Sequence, residues 1–386
     1  MGVDLYERRE QTFVKHEALR AYLERFAHIV GYSFGTLVYV DGFAGPWRVR
    51  SETLDDSSFA IAIRELRKAR KDLAEIGKTV RLRCFFVEED PDAYAQLRKF
   101  CDGCSDVEIE TRLGSFEAAI PRVQEFVRDS GPGAFTFVFI DPTGWSGFGM
   151  KAIAPLVRHE PGEVLVNFMT GYINRFLTSD VDQIRAGMVD LFGSEAFVDR
   201  VKDLSGLDRE DAMVDGYAAN LRTFGRFAFT CTAAVLNPKK DRSHFHLVYA
   251  TRNLKGVREF KRAEKGAMKA MEEARASVEQ SKKKAKTGMS LLPFDSDEAP
   301  PSAHYAMLRK RYLLKGKTAT LAELQRAGAP VPFDDVVAIA LRHPLVWETD
   351  VTGWLSEWEK VGTLQVGGKG PRQRVAKSGN LLYFKF

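Results

Sequence analysis

Short apolar runs alternate with amphipathic helical segments through the first half of the chain, and this alternation constrains the fold more than any other feature. Apolar residues between the runs recur at helical spacing. Strands that alternate with crossover helices predict an α/β domain in which a parallel sheet is covered by helices on both faces. The runs that we predict as strands are GTLVYVD (35–41), RLRCFFVEE (81–89), VEIETRLGS (107–115), FTFVFIDP (135–142) and GEVLVNFM (162–169).

Two later apolar runs complete the predicted sheet. RFAFTCTAAVL (226–236) and HFHLVYATRN (244–253) are joined by the polar segment NPKKDRS, which predicts an antiparallel pair. The predicted fold class is therefore Rossmann-like α/β, with a mostly parallel sheet and an antiparallel last strand. We expect this domain to span residues 31–286, with a helical insertion at 180–222. An amphipathic helix within residues 1–30 is expected to pack on it.

Residues 303–386 predict a second, small domain. The preceding segment, 287–302, mixes Gly, Pro, Ser and acidic residues without periodicity and is predicted to be a linker. Four short helical patterns then lead into a glycine-punctuated hairpin that ends in LLYFKF, which is typical of a winged-helix-like domain. The helix TDVTGWLSEWEKVG (349–362), capped by Thr349, is the candidate for contacts with a nucleic-acid groove.

The positive charge of the chain is concentrated in this C-terminal segment. From Pro301 onward there are 13 Lys and Arg residues against 7 Asp and Glu residues, whereas the whole chain has a net charge of +5. A basic domain beside a nearly neutral one favours nucleic acid, either DNA or RNA, as a partner. Two alternatives stay open: the winged-helix-like domain binds another protein, or its charge serves only solubility.

Other features exclude some classes of protein. No stretch approaches twenty consecutive apolar residues, and the N-terminus has neither the apolar region nor the cleavage site of a signal peptide, so we expect a cytoplasmic protein. Cys101 and Cys104 form a Cys-x-x-Cys pair, but without further ligands it is weak evidence for zinc, and no metal site is predicted. His244 and His246 share one face of a predicted strand and are expected to serve in packing.

The candidate binding residues lie where the predicted strands end, because ligands of open α/β sheets bind beyond the carboxyl ends of the strands. The turn after the first strand is rich in small residues, which let a ligand approach the backbone. An acid at the end of the second strand commonly accepts hydrogen bonds from a ribose diol, and alternation along the strand favours Glu88 over Glu89. The residues predicted to contact a cofactor are Asp41, Gly42, Phe43, Ala44, Gly45, Glu88, Ser115 and Phe116.

The same strand ends indicate the type of cofactor and the residue that faces the substrate. The first turn closes with Pro46, which has no N–H for a phosphate, and the chain has no P-loop motif, so S-adenosylmethionine is favoured over a dinucleotide. Asp141 follows an all-apolar strand and is predicted to accept a hydrogen bond from the amino group of a methyl acceptor. Pro142 restricts the backbone there, and Trp145 or Phe148 is expected to stack on a flat base.

Five motifs carry a resemblance to known proteins. They are Lys15-His16-Glu17, VYVDGFAGP (38–46), FFVEEDP (85–91), FIDPTGWSG (139–147) and VNFMTGYINRF (166–176). In this order the motifs resemble those of the three-Cys-motif partner (TcmP) family and, more distantly, the RlmJ type of ribosomal-RNA adenine-N6 methyltransferase. The resemblance implies a class I methyltransferase fold that binds S-adenosylmethionine around Asp41 to Gly45 and at Glu88.

The resemblance also implies roles for individual residues. Asp141 and Pro142 stand in the place of the Asp-Pro pair that holds the target amino group, and the N-terminal motif implies a helix that closes over the site. The family name implies a neighbouring partner protein with a three-cysteine motif. The residues to which the resemblance gives catalytic or substrate-binding roles are Lys15, His16, Asp141, Pro142, Asn167 and Asn174.

One motif departs from the pattern of the ribosomal-RNA enzymes. Thr143 and Gly144 stand where their Asp-Pro-Pro-Tyr motif has Pro and Tyr, so the aromatic residue beside Asp141 is displaced or absent. The acceptor therefore stays open between a nucleic-acid base, a peptide and a small molecule. The alternative to an enzyme is a nucleic-acid-binding accessory protein that partners a three-Cys-motif protein.

Overall fold

The computed structural model describes residues 10–46, 54–179, 181–236, 242–287 and 302–385, with the side chains of these ranges except 10–14, 244 and 273–287. Its main sheet has seven strands in the order β3-β2-β1-β4-β5-β7-β6. The strands are β1 (Thr36–Asp41), β2 (Arg81–Glu88), β3 (Glu108–Leu113), β4 (Ala134–Ile140), β5 (Gly162–Phe168), β6 (Phe229–Leu236) and β7 (Ser243–Thr251).

The strand pairing gives the sheet its polarity. β1 is parallel to β2 and β4, β2 to β3, and β4 to β5, whereas β7 is antiparallel to both β5 and β6. The predicted Rossmann-like α/β sheet with an antiparallel last strand is thereby confirmed. The strand order reverses between β1 and β4, which places a ligand-binding crevice at the carboxyl ends of these strands.

Helices bury both faces of this sheet, and the side chains of β1 alternate between the two resulting cores. Leu37 and Tyr39 belong to one core, and Val38 and Val40 belong to the other. A strand buried on both faces needs apolar residues at every position, which explains its continuous apolar sequence. The helices in the described residues up to Thr287 are α1 (Glu10–Ser33), α2 (Ser58–Glu75), α3 (Pro91–Asp102), α4 (Phe116–Arg128), α5 (Met150–Val157), α6 (Thr170–Phe176), α7 (Asp182–Phe192), α8 (Glu195–Lys202), α9 (Gly206–Gly225) and α10 (Leu254–Thr287).

Helix α1 is anchored to the middle of the sheet by a buried polar cluster. The Tyr22 hydroxyl donates a hydrogen bond to Glu163 Oε2 (2.6 Å) and lies 2.7 Å from the Tyr249 hydroxyl. Thr251 Oγ1 also donates to Glu163, over 2.7 Å. Burial raises the pKa of the Glu163 carboxyl. Because α1 is held at Tyr22, its N-terminal part reaches the carboxyl end of the sheet.

The C-terminal elements follow one another as a helix, a short strand, two helices and a hairpin. The first two predicted short helices form a single helix instead. Gly316, at their junction, is buried, and an added Cβ there would lie 3.2 Å from the Trp354 ring. The helix predicted to be capped by Thr349 begins earlier, with Trp347 as its N-cap. The elements are α11 (Ala303–Arg326), β8 (Val331–Pro332), α12 (Phe333–Ala340), α13 (Glu348–Lys360), β9 (Leu364–Gly367) and β10 (Leu381–Phe384).

These C-terminal elements pack against α9, α10 and the edge strand β6. The Thr232 backbone N–H of β6 donates to the carbonyl oxygen of Arg342 (3.2 Å), which follows α12. The Asp211 carboxylate of α9 accepts hydrogen bonds from three residues of α11, Arg311, Tyr312 and Lys315. Except for its end residues, Thr287 in α10 and Ser302 before α11, the predicted linker lies outside the described residues.

Membrane-spanning helices, metal clusters and the histidines of β7 can be assessed in the described parts of the chain. No helix in these ranges is long and apolar enough to cross a membrane. The same ranges contain no group of three or more His, Cys, Asp or Glu side chains that could hold a metal ion. His246 is buried beside Thr170, and the side chain of His244 lies outside the described residues.

Candidate active site

A cavity of about 900 Å³ lies at the carboxyl ends of the parallel strands. The loops after β1, β2, β3, β4 and β5 meet in it, and the N-terminal part of α1 covers one side. Its lining includes Lys15, His16, Gly42, Phe43, Gly45, Asp56, Ser57, Ser58, Glu88, Glu89, Asp90, Gly114, Ser115, Phe116, Asp141, Pro142, Thr143, Gly144, Trp145, Asn167, Met169, Tyr172 and Phe245. The strand-end residues chosen from the sequence thus lie largely in one place.

Asp141 is held from two sides by residues of distant elements. Lys15 of α1 donates a hydrogen bond from Nζ to Asp141 Oδ2 over 2.5 Å, and Asn167 of β5 donates from Nδ2 to Oδ1 over 2.6 Å. The side chains of Lys15 and Asp141 are 15% and 13% exposed, so water competes little for this ion pair. The carboxylate therefore has a fixed orientation at the cavity wall.

Asn167 also offers a hydrogen-bond acceptor next to this carboxylate. Its Oδ1 is buried and accepts no hydrogen bond from any described residue. A buried amide oxygen without a donor is unfavourable by about 1–3 kcal/mol. A ligand N–H group bound in this part of the cavity would satisfy it.

Glu88 ends β2 at the opposite side of the cavity. The residue is buried, and its Oε1 accepts a hydrogen bond from the Asp90 backbone N–H (2.7 Å). Burial raises the pKa of the Glu88 carboxyl, and the backbone N–H groups of the loop oppose this effect. Glu89 lines the same cavity but is exposed, so of these two neighbouring acids Glu88 is the one that is shielded from bulk solvent.

The turn after β1 is shaped by residues that lie behind the cavity wall. Asp41 is fully buried, and its carboxylate accepts hydrogen bonds from the Phe43 backbone N–H (3.0 Å) and from Ser58 Oγ (2.8 Å). Ala44 is also buried and donates its N–H to the Val87 carbonyl oxygen over 2.8 Å. Neither Asp41 nor Ala44 lines the cavity, so the structure assigns them a supporting role instead of the predicted contact with a cofactor.

Two of the predicted substrate contacts are also placed away from the cavity. Phe148 is fully buried, and its ring packs edge-on against Phe43, because the loop after Asp141 folds back into the core. Asn174 is exposed on α6, and its Oδ1 accepts a hydrogen bond from Arg209 over 3.4 Å. Trp145 and Asn167, the other two predicted contacts, line the cavity.

Sequence reasoning missed an aromatic residue that faces the loop after Asp141. Tyr172 of α6 lines the cavity and is 39% exposed. A Cβ on Gly144 would lie 3.8 Å from the Tyr172 ring, so this ring occupies the space beside the glycine. The motif VNFMTGYINRF contains Tyr172, but only the direction of α6 shows that Tyr172, and not Asn174, turns towards the cavity.

The ionisation of Asp41 predicts how stability depends on pH. Burial raises the pKa of this carboxyl to about 7, whereas an unfolded aspartate titrates near pH 4. Between these values the folded chain binds more protons than the unfolded chain, so this group lowers stability as the pH rises. Asp41→Asn keeps the acceptor for Phe43 and carries no charge. The free energy of unfolding of Asp41→Asn minus that of wild type should therefore be about 2–3 kcal/mol higher at pH 8 than at pH 5.

Thermal melts of both proteins without ligand, at pH 5 and at pH 8, measure this difference. We expect the melting temperature of Asp41→Asn minus that of wild type to be several degrees higher at pH 8. Asp129→Asn, at an exposed position after α4, is the control and should show no such trend. Parallel melting temperatures for Asp41→Asn and wild type at both pH values would contradict the assignment.

Comparisons with known proteins add little to this geometry. No protein-family model and no curated protein matches the chain. Among solved structures, a Legionella pneumophila protein of the DUF519 family has a TM-score of 0.36 and 12% identity, over 61% of this chain and 85% of its own. A loganic acid methyltransferase with SAH has a TM-score of 0.32 and 10% identity, over 68% of this chain and 82% of its own. Similarities at this level carry no conclusion about activity.

Proposed function

We propose that this protein is an S-adenosylmethionine-dependent methyltransferase that modifies an amino group of a nucleic-acid base. The observation that carries the proposal is the cavity that joins Glu88 at the end of β2 with Asp141 at the end of β4. A buried acid that suits a ribose and a fixed acid that suits an amino group thus face the same space.

The β2 side of the cavity has the chemistry that a cationic nucleoside needs. Asp56, Glu88, Glu89 and Asp90 line it, while Lys15 is the one Lys or Arg among the described lining residues and is paired with Asp141. Such a surface attracts a sulfonium and repels the phosphates of a dinucleotide. The Glu88 carboxylate can accept two hydrogen bonds from the ribose diol.

The turn at Gly42 gives this side of the cavity its shape. A Cβ at Gly42 would lie 2.7 Å from the ring of Phe116, which is buried, so the ring and the turn pack directly on each other. The volume of about 900 Å³ lies within the range of small-molecule sites and accommodates a nucleoside together with a second flat ring.

The β4 side positions the methyl acceptor. S-adenosylmethionine, when bound, supplies an electrophilic methyl group. Asp141 accepts a hydrogen bond from the acceptor amino group, which orients the nitrogen lone pair and stabilises the positive charge that develops on nitrogen. Asn167 Oδ1 accepts the second N–H of a primary amine, and Lys15 keeps the Asp141 carboxylate in place.

The C-terminal residues support nucleic acid as the substrate. Arg372, Arg374 and Lys377 lie in the loop between β9 and β10, and none has an ion-pair partner among the described residues. The order of α11, β8, α12, α13, β9 and β10 agrees with the winged-helix-like domain that we propose for residues 303–386. Unpaired cations on such a loop suit backbone phosphates, which would hold the strand while a base is flipped into the cavity.

Methyl transfer from labelled S-adenosylmethionine tests the proposal directly. We expect label in RNA or DNA, and digestion followed by mass spectrometry should place it on the amino group of one type of base. Free nucleosides serve as the comparison and should be poor acceptors. Label confined to a peptide or a small molecule would contradict the nucleic-acid substrate. If calorimetry detects binding of neither S-adenosylmethionine nor S-adenosylhomocysteine, the methyltransferase is excluded and the accessory-protein alternative is favoured.

Tyr172 should contribute to binding of the acceptor base. Tyr172→Ala removes a ring from the cavity wall beside Gly144, and without this stacking partner the KM for the acceptor should rise about tenfold. Tyr172→Phe keeps the ring and should restore the KM, while the affinity for S-adenosylmethionine stays unchanged in both. Tyr32→Ala removes an exposed tyrosine at the far end of α1 and is the control. Steady-state kinetics in the acceptor concentration measure this, and an unchanged KM in Tyr172→Ala would disprove the contact.

A further inference from the structure

A second cavity lies where the C-terminal elements meet the Rossmann-like sheet. Its volume is about 280 Å³. Helix α9 and strand β6 form one wall, and α11 with the end of α12 forms the other. The residues that determine its chemistry are Asp215, Arg222, Cys231, Thr232, Arg342 and His343.

Two arginines line this cavity. The guanidinium groups of Arg222 and Arg342 make no hydrogen bond or salt bridge to any described residue. Other arginines of the same region are paired: Arg309 binds both oxygens of Asp350, and Arg311 binds Asp211. The surrounding protein and the like charge of Arg222 lower the pKa of Arg342, so the two cations are close enough to repel each other.

The remaining ionisable groups leave the cavity positive at neutral pH. Burial and the positive charge of Lys261 and Lys315 lower the pKa of His343 to about 4, so this ring is neutral. Asp215, whose pKa is raised to about 6 by its surroundings and by Asp211, offsets one of the two arginines. Glu323, whose charge also acts on Arg342, is paired with Arg326. Asp211 itself is neutralised by Arg311 and Lys315.

Two guanidinium groups that line one cavity without an ion pair to a described residue can bind a tetrahedral anion together. Each guanidinium can donate two parallel hydrogen bonds, and a phosphate has enough oxygens to accept them from both sides. The Thr232 hydroxyl is not available, because it donates to the Arg342 carbonyl oxygen over 2.9 Å. That bond and the bond from the Thr232 N–H fix the two walls of the cavity relative to each other.

We propose that Arg222 and Arg342 bind a backbone phosphate of a nucleic-acid strand that lies across the junction of β6 and the C-terminal elements. The identification of this phosphate as part of a nucleic acid rests on the proposed function. Binding at this cavity does not itself require methyl transfer. One phosphate bound here contacts both parts of the chain and holds the strand in a defined register relative to the larger cavity.

Binding of a single-stranded oligonucleotide and of inorganic phosphate tests the proposal. The variants are Arg222→Gln, Arg342→Gln and the double substitution in the full chain. For the double variant we expect at least about tenfold weaker oligonucleotide binding. The slope of log K against log salt should also become smaller, by roughly 0.7 for each phosphate that the variant no longer binds. Lys71→Gln, an exposed position on α2 outside this cavity, controls for net charge and should bind like wild type.

The outcomes separate this proposal from the proposed enzymatic function. Unchanged oligonucleotide affinity and salt slope in the double variant would overturn the site. If the double variant loses binding of inorganic phosphate but binds the oligonucleotide like wild type, the anion bound at this cavity is not a backbone phosphate of a nucleic acid. Calorimetric affinity for S-adenosylmethionine should equal that of wild type in every variant, which also shows that the variants are folded. Arginine-dependent oligonucleotide binding by a protein without methyl transfer would support this site while contradicting the proposed enzyme.

Discussion

Replacing Asp141 with asparagine should lower kcat/KM for methyl transfer about 100- to 10,000-fold, the usual range for loss of a positioned acid or base. Asparagine has nearly the same shape, but it lacks the charge that stabilises a positive nitrogen and that pairs with Lys15. It can also present an N–H where the acceptor needs an oxygen. Because we propose that Asp141 contacts the acceptor and not the cofactor, the affinity for S-adenosylmethionine should stay within about threefold of wild type.

Single-turnover methyl transfer at saturating cofactor measures the chemical step, and calorimetry measures the cofactor affinity. Asp129→Asn removes one exposed carboxylate outside the cavity and should retain full activity. An Asp141→Asn protein with wild-type turnover would remove Asp141 from the mechanism. A parallel loss of cofactor affinity would instead place Asp141 on the cofactor side.

The second large effect is expected at Glu88. Glu88→Gln should raise the Kd for S-adenosylmethionine about 10- to 100-fold, because hydrogen bonds to a charged acceptor contribute about 1.5–3 kcal/mol. Glutamine keeps the size of the side chain and can still accept the hydrogen bond from the Asp90 N–H. The turn should therefore stay folded, and the loss should concern the ligand alone.

Glu89→Gln is the matched control, since this neighbouring acid lines the same cavity but is exposed. We expect its Kd for S-adenosylmethionine to change less than about threefold, because exposed charge interactions are weak. Equal effects of the two substitutions would show that only the overall negative charge of the cavity matters. A larger effect at Glu89 would reverse the assignment of the ribose contact.

The strand-end rule placed Glu88 and Asp141 at the cavity correctly, because it depends only on parallel strands. Parallel strands carry their carboxyl ends to one edge of the sheet, whatever the details of the side chains. The same rule placed Asp41 in the cavity, where it does not lie. As the last residue of β1, Asp41 accepts hydrogen bonds from Ser58 of α2 and from the turn itself, so its carboxylate is directed into the protein.

The partners of Asp141 illustrate the limit of sequence reasoning. The motif resemblance implied that the helix with Lys15 closes over the site, but the 2.5 Å ion pair depends on how the Tyr22 cluster holds α1. Asn167 was chosen as a substrate contact, and its bond to Asp141 required the register of β5 beside β4. Trp145 or Phe148 was predicted to stack on a base; Trp145 lines the cavity and Phe148 does not. Tyr172, which was not predicted, occupies the space beside Gly144.

By itself, the sequence determined the α/β class, the alternation of strands and helices, and the edge of the sheet at which the candidate site lies. Local periodicity and strand polarity decide these features. Only the tertiary structure decided that Asp41 supports the turn, that Tyr172 faces the cavity, and that Arg222 and Arg342 share a second cavity in which neither forms an ion pair with a described residue. Those outcomes depend on how helices rotate and pack against one another, and that packing is set by contacts between residues far apart in the chain.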